Sequence, residues 1–253
     1  GSAVDAMATQ NAALELENRI DAAEASLEAA RASLARWLGE EPATLRIDGA
    51  PPELTTLPAA PATLLASPHR LGFFLAAMVL ILASLWWLAV QVDRSTGALG
   101  LASAVPATLT HAVVMVFGFM PLYFSGFLFT AGPKWLNVPP YQAAQLRAPL
   151  GLLAAGWALW LLGAHVHAGL ALGGLALALA GLTWMFGMFW RLIRASRAAD
   201  RVHAKAVGWA GVVGLVSLAA VGVSLAMGRV DLALVWVRTG LWGFIVVTYV
   251  AVA

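Results

Sequence analysis

Cysteine is absent from all 253 residues, which excludes disulfides, thiolate zinc sites and iron–sulfur clusters of the usual kind. Any metal held by this chain must use histidine, methionine, carboxylate or backbone oxygen. Charge is also scarce: 11% of residues are Asp, Glu, Lys or Arg, against about 25% in soluble domains. After residue 60 the only acids are Asp93, Asp200 and Asp231. No GxSxG, P-loop, HExxH or paired-carboxylate pattern occurs, so general acid–base catalysis has little material and a soluble enzyme is not expected. The chain opens on Gly1 rather than methionine, and neither a basic flank nor an apolar run marks a signal peptide there, so the start reads as clipped.

Apolar residues are abundant instead. Hydrophobic content is 61% and mean hydropathy is +0.81, above the range of a soluble globule, so the chain reads as a membrane protein. Its charge is divided unevenly. Residues 1 to 60 carry ten acids against four bases, and residues 61 to 253 carry three acids against eleven bases. Two different kinds of chain have been joined, and the lipid bilayer rather than nucleic acid is the partner they imply.

From about Asn11 to Leu38, apolar positions Leu16, Ile20, Ala23, Leu27, Ala30, Leu34 and Trp37 alternate in steps of four and three. This is an a/d heptad seam, which needs a helix partner for residues 11 to 38. Gly39 and Pro42 place the end of the helix near Leu38. Prolines 51, 52, 58, 61 and 68 among small residues mark an extended linker. The stretch EASLEAARASLARWLGEEPATLRIDGAPPELTTLP resembles part of the TolC-like outer-membrane efflux proteins. The likeness spans about residues 8 to 60 and implies a local helix and turn but no function.

Six apolar segments follow, near 71 to 92, 111 to 131, 149 to 165, 168 to 190, 206 to 227 and 232 to 253, each judged against the roughly 20 residues that cross a bilayer core as helix. The expected fold is all-α, a polytopic membrane bundle of six helices over 69–253. An amphipathic coiled-coil-like helix within 1–48 and a Pro-rich linker over 49–68 precede it. Arg70, Lys134, Arg147, Arg191, Arg194, Arg197, Arg201 and Lys205 fall on one side of this arrangement, and Arg94 and Arg229 on the other. The positive-inside rule puts the first side, with the linker and N-terminal segment, in the cytoplasm. A TolC-like segment would lie in the periplasm, so the two pieces read as a fusion. The chain stops inside an apolar run at Ala253, which reads as a truncation.

The histidines sort by side, with His111, His165 and His167 at the exterior face and His69 and His203 at the cytoplasmic face. His111 and Met115 stand four residues apart and share a helix face, which Gly118, Leu122 and Gly126 continue. Such a face suits a metal or haem wall, and equally the close packing of a second helix. Pro121 frees the carbonyl of Phe117 and predicts a kink, and Gly132-Pro133-Lys134-Trp135 predicts the helix stop. His165-Val166-His167 chelates a metal if extended and diverges if helical; two solvated loop histidines are the plainer reading. His203 sits in a basic loop suited to anionic lipid heads, and His69 can cap the first segment or bind a metal. Arg238 lies inside an apolar segment, where either an anionic partner such as a haem propionate or snorkelling must satisfy it. The tryptophans read as interfacial belt residues, and Gly169/Gly173 as a helix-packing pair.

ASPHRLGFFLAA, THAVVMVFGFMPLYFSGFLFTAGPKWLNVPP and RTGLWGFIVVTYVAVA resemble the NnrS family of bacterial haem- and copper-containing membrane proteins linked to nitric oxide stress and denitrification. The likeness runs from about Pro68 to Ala253. It implies a protein about twice as long in the membrane, of which this is the N-terminal half. The family's continuation into a His-Arg-Met stretch is absent, and a frequent second His and Glu in its second helix are replaced here by Val113 and Val114. The resemblance implies haem b as cofactor and copper as a further metal. It points to His69, His111, Met115 and His203 as site residues, leaves His165 and His167 unassigned, and makes nitric oxide a candidate ligand. A small-molecule or metal transporter component and a non-functional fusion fragment are the alternative readings.

Overall fold

A computed structural model describes residues 3–38 and 65–252. The chain divides into two compact units, residues 1–57 and 58–253. Within the first, α1 runs Ala3–Leu38, as its Ala, Glu, Leu and Arg content favours. Its seam residues Leu16, Ile20 and Leu27 are about half exposed. The expected linker lies outside the described residues except at its end, where Pro68 becomes the first residue of a membrane helix. A proline fits there because the first helical N–H has no intrahelical acceptor to lose.

The second unit contains six helices long and apolar enough to cross a membrane: α2 Pro68–Thr96, α3 Ala107–Leu136, α4 Ala143–Val166, α5 Ala168–Ala195, α6 Val202–Ala226 and α7 Val230–Val252. No strand occurs among the described residues. The protein is therefore an all-α, multi-pass membrane bundle. The third span is longer than the expected 149 to 165. The Gln142 and Gln145 side chains each bond the other's backbone N–H, and this reciprocal cap starts the helix at Ala143. Pro149 is accommodated inside.

Two local expectations about α3 change. The helix does not end ahead of Gly132 but runs through the predicted Gly132-Pro133-Lys134-Trp135 stop. It continues through Pro133 to Leu136 and ends at Asn137, with φ of 51°, a left-handed position that asparagine tolerates. The Asn137 and Val138 N–H groups close the end on the carbonyls of Lys134 and Pro133. At the other proline, the backbone widens into a π-helical turn over Met115–Phe119, just ahead of Pro121. Proline cannot bond the Phe117 carbonyl, and a wider turn is one way a helix absorbs that loss. A second such turn, Leu241–Val246, interrupts α7.

Backbone contact, rather than side-chain interdigitation, joins α4 to α5. A Cβ on Gly156 would lie 2.7 Å from the Gly174 carbonyl, and one on Gly181 would lie 2.7 Å from the Pro149 carbonyl. Gly163 meets the backbone at Ala171 equally closely. In a bilayer, where no water is released by association, small residues allow this approach. The expected pair Gly169/Gly173 does not take part: Gly173 faces open space and Gly169 meets only the His167 ring. The register that buries Ala171, Leu175, Ala178 and Leu182 turns Gly173 outward. α2 and α3 touch similarly at Gly72 and Gly126.

Large side chains fill the remaining core. Phe129 meets Phe189 edge-on at 6.4 Å, and Phe186 meets Phe244 at 5.5 Å. The connections close the bundle at both ends. At one, the Ala104 and Val105 N–H groups bond the Ala164 carbonyl, and Asp93 accepts from the N–H groups of Leu99, Gly100 and Leu101. At the other, the Ser196 hydroxyl donates to the Leu136 carbonyl at 2.6 Å.

Candidate functional site

The end of the bundle closed by Ala164 holds a run of four aromatic rings. Trp86 and Trp87 are consecutive toward the end of α2. The His111 ring, in the second turn of α3, stacks on Trp87 with centroids 4.5 Å apart and planes at 21°. Trp87 lies 6.0 Å from Trp86, and Trp86 lies 5.7 Å from the His165 ring. His111 and His165 thus stand at the two ends of one continuous aromatic row.

The two imidazoles are held differently. His165, in the last turn of α4, uses both ring nitrogens: Nε2 accepts from the Trp86 indole N–H at 2.7 Å, and Nδ1 donates to the Ala102 carbonyl at 2.6 Å. This assignment follows from the network, since the indole can only donate and the carbonyl can only accept. His165 ties α2, α4 and the loop between α2 and α3 together. His111 is part-buried, and its Nδ1 is buried with no hydrogen-bond partner. An unpaired buried polar atom costs about 1 to 3 kcal/mol, so His111 is the imidazole with unmet bonding capacity. Met115, one turn further along α3, is also part-buried, and its N–H bonds back to the His111 carbonyl.

The expected wall below His111 is filled by protein. A Cβ on Gly118 would lie 3.1 Å from the Trp157 indole, and one on Gly126 would lie 2.8 Å from the Phe73 ring. The π-helical turn rotates the residues beyond Met115, and the two glycines receive α4 and α2 respectively. Close packing, the alternative reading of that stripe, is what these glycines do.

His167 caps α5, its Nδ1 accepting the Gly169 N–H at 3.0 Å. His165 is still helical, so the two rings are engaged separately and do not form a chelating pair. His69 and His203 lie at the opposite end of the bundle. His69 sits in the first turn of α2, with Nε2 3.5 Å from the Ser67 hydroxyl. Eighteen residues of helix, about 27 Å at 1.5 Å per residue, separate it from Trp87. One iron therefore cannot take both His69 and His111. The His203 Nδ1 donates to the Ala251 carbonyl at 3.1 Å beside a pocket of about 440 Å³ that also touches Trp135 and Asp200.

Arg238 is exposed on α7, and among the described residues it makes no hydrogen bond or ion pair. Gly240, two residues on, packs against Phe117 of α3, which places Arg238 on roughly the opposite face. Any partner of the guanidinium lies outside the described residues. No group of three or more His, Asp or Glu side chains suited to a metal occurs among them. Sequence reasoning missed Trp86 and Trp87; their adjacency at the end of an apolar segment was the only available sign.

The family model described as NnrS protein matches residues 63–253. No curated protein and no solved structure matches the chain.

Proposed function

Because the chain belongs to the NnrS family, we propose that it is an integral membrane protein of the nitric oxide response that binds haem b through His111. Copper is a second metal in this proposal. The membrane is the bacterial inner membrane, with the N-terminal segment and the Arg-rich end of the bundle in the cytoplasm and the aromatic row on the outer side. The loop charges support that orientation.

The buried, unpartnered Nδ1 of His111 carries the reading. A histidine ligand binds through one ring nitrogen and is oriented by what surrounds the other parts of the ring. Here Trp87 fixes the ring plane by stacking, and Met115 offers a soft thioether one turn away. One imidazole fits a haem iron. A complete coordination sphere is not assembled among the described residues. Haem held this way supplies binding of a diatomic gas or passage of an electron, as the axial ligand and its surroundings decide.

The test is the optical spectrum of the purified membrane protein together with its metal content. Haem b absorption in the oxidised and reduced states is expected, and copper should be found by metal analysis. A colourless protein that stays colourless when haem is added during membrane insertion would sink the haem reading, and absence of copper would remove the second metal alone.

A further inference from the structure

At the basic end of the bundle, an open groove of about 510 Å³ lies between α5 and α6, lined by Gly187, Trp190, Arg191, Arg194, Trp209 and Val212. On α5, residues 187, 190, 191 and 194 form one helical stripe. On α6, Trp209 and Val212 form another, which Lys205 extends by one turn. The groove has a charged end and an apolar end. Arg194 lies one residue before the end of α5, and Gly187 lies about 10 Å deeper along the helix axis at 1.5 Å per residue.

Its two indoles are held in place. Trp190 lies over Gly208, where a Cβ would come within 2.9 Å of the ring, and meets Trp209 edge-on at 5.4 Å and 78°. Gly187 leaves the deep end open, since a Cβ there would meet nothing within 4 Å. Arg191 and Arg194 are exposed and have no hydrogen-bond or ion-pair partner among the described residues. The nearest acid in sequence, Asp200, accepts the Val202 N–H, and Asp231 pairs with Arg229 at the start of α7.

We infer that this groove is a binding site for an anionic phospholipid. The phosphate sits against Arg191 and Arg194 with Lys205 nearby, and an acyl chain runs past the two indoles toward Gly187 and Val212. Unpaired guanidinium groups at head-group depth, beside aromatic and small apolar residues below, match the polarity of a lipid along its length. A zwitterionic lipid presents the same phosphate, but its ammonium group would face the arginines. Selectivity for net negative charge follows.

The full chain, purified in neutral detergent and titrated with phosphatidylglycerol or phosphatidylcholine, can be followed by native mass spectrometry. Phosphatidylglycerol should be retained in preference to phosphatidylcholine. Each of Arg191→Gln and Arg194→Gln should weaken its retention about fivefold. Arg191→Gln with Arg194→Gln should weaken retention well beyond the single fivefold loss, whereas Arg147→Gln with Arg197→Gln, which removes the same two charges from the same end outside the groove, should change it less than about twofold. Gly187→Leu fills the open end without changing charge and should also weaken retention. Equal loss from the two arginine pairs, equal retention of both lipids, or indifference to Gly187→Leu would overturn the site.

Discussion

At the scale of single residues, the bundle separates two histidines that look alike in sequence. His165 spends both nitrogens on protein partners, whereas the His111 Nδ1 has none. His165→Ala is therefore expected to act on stability and leave bound haem unchanged. Two hydrogen bonds of about 1 kcal/mol each are lost, and the melting temperature in detergent should fall by about 4 to 8 °C. A loss of haem with an unchanged melting temperature would make His165 a ligand instead. The division of the histidines between the two ends was legible in the sequence, because it follows from counting spans. The aromatic row was not. Trp86 meets a residue 79 positions away, and helical periodicity describes only one helix at a time.

At the scale of elements, small residues decide which helices touch. Gly163 meets the α5 backbone, while Gly173 meets nothing. Gly163→Leu is expected to destabilise the bundle by about 3 kcal/mol or more, because backbone lies where the side chain must go. Gly173→Leu should stay within about 0.5 kcal/mol. Thermal melting of the two variants in one detergent compares them directly, and equal effects would contradict the packing described. The existence of six helices was legible from apolar length alone. Their ends were less so, because a proline can be carried inside a helix when tertiary contacts surround it, as Pro133 and Pro149 are, both buried. The sequence marked a break at Pro121, but the π-helical form it takes depends on the fit of Phe117 and Gly118 against α7 and α4.

At the scale of the whole molecule, eight bases of the membrane unit lie toward one end and Arg94 and Arg229 toward the other, so the topology can be tested in cells. The chain has no cysteine, and single introduced thiols report cleanly. Leu99→Cys, an exposed residue in the loop between α2 and α3, should react with a membrane-impermeant maleimide in intact cells. Ala199→Cys, exposed between α5 and α6, should react only after the cells are opened. The reverse pattern would invert the proposed orientation and put the aromatic row in the cytoplasm.

The most direct measurement of the central claim compares haem absorption of the purified protein with that of His111→Ala, using His69→Ala as a control at the far end of the bundle. His111→Ala should lose most of the Soret intensity per protein, and His69→Ala should keep it. Full Soret intensity in a folded His111→Ala protein would contradict the assignment of His111 as the iron ligand.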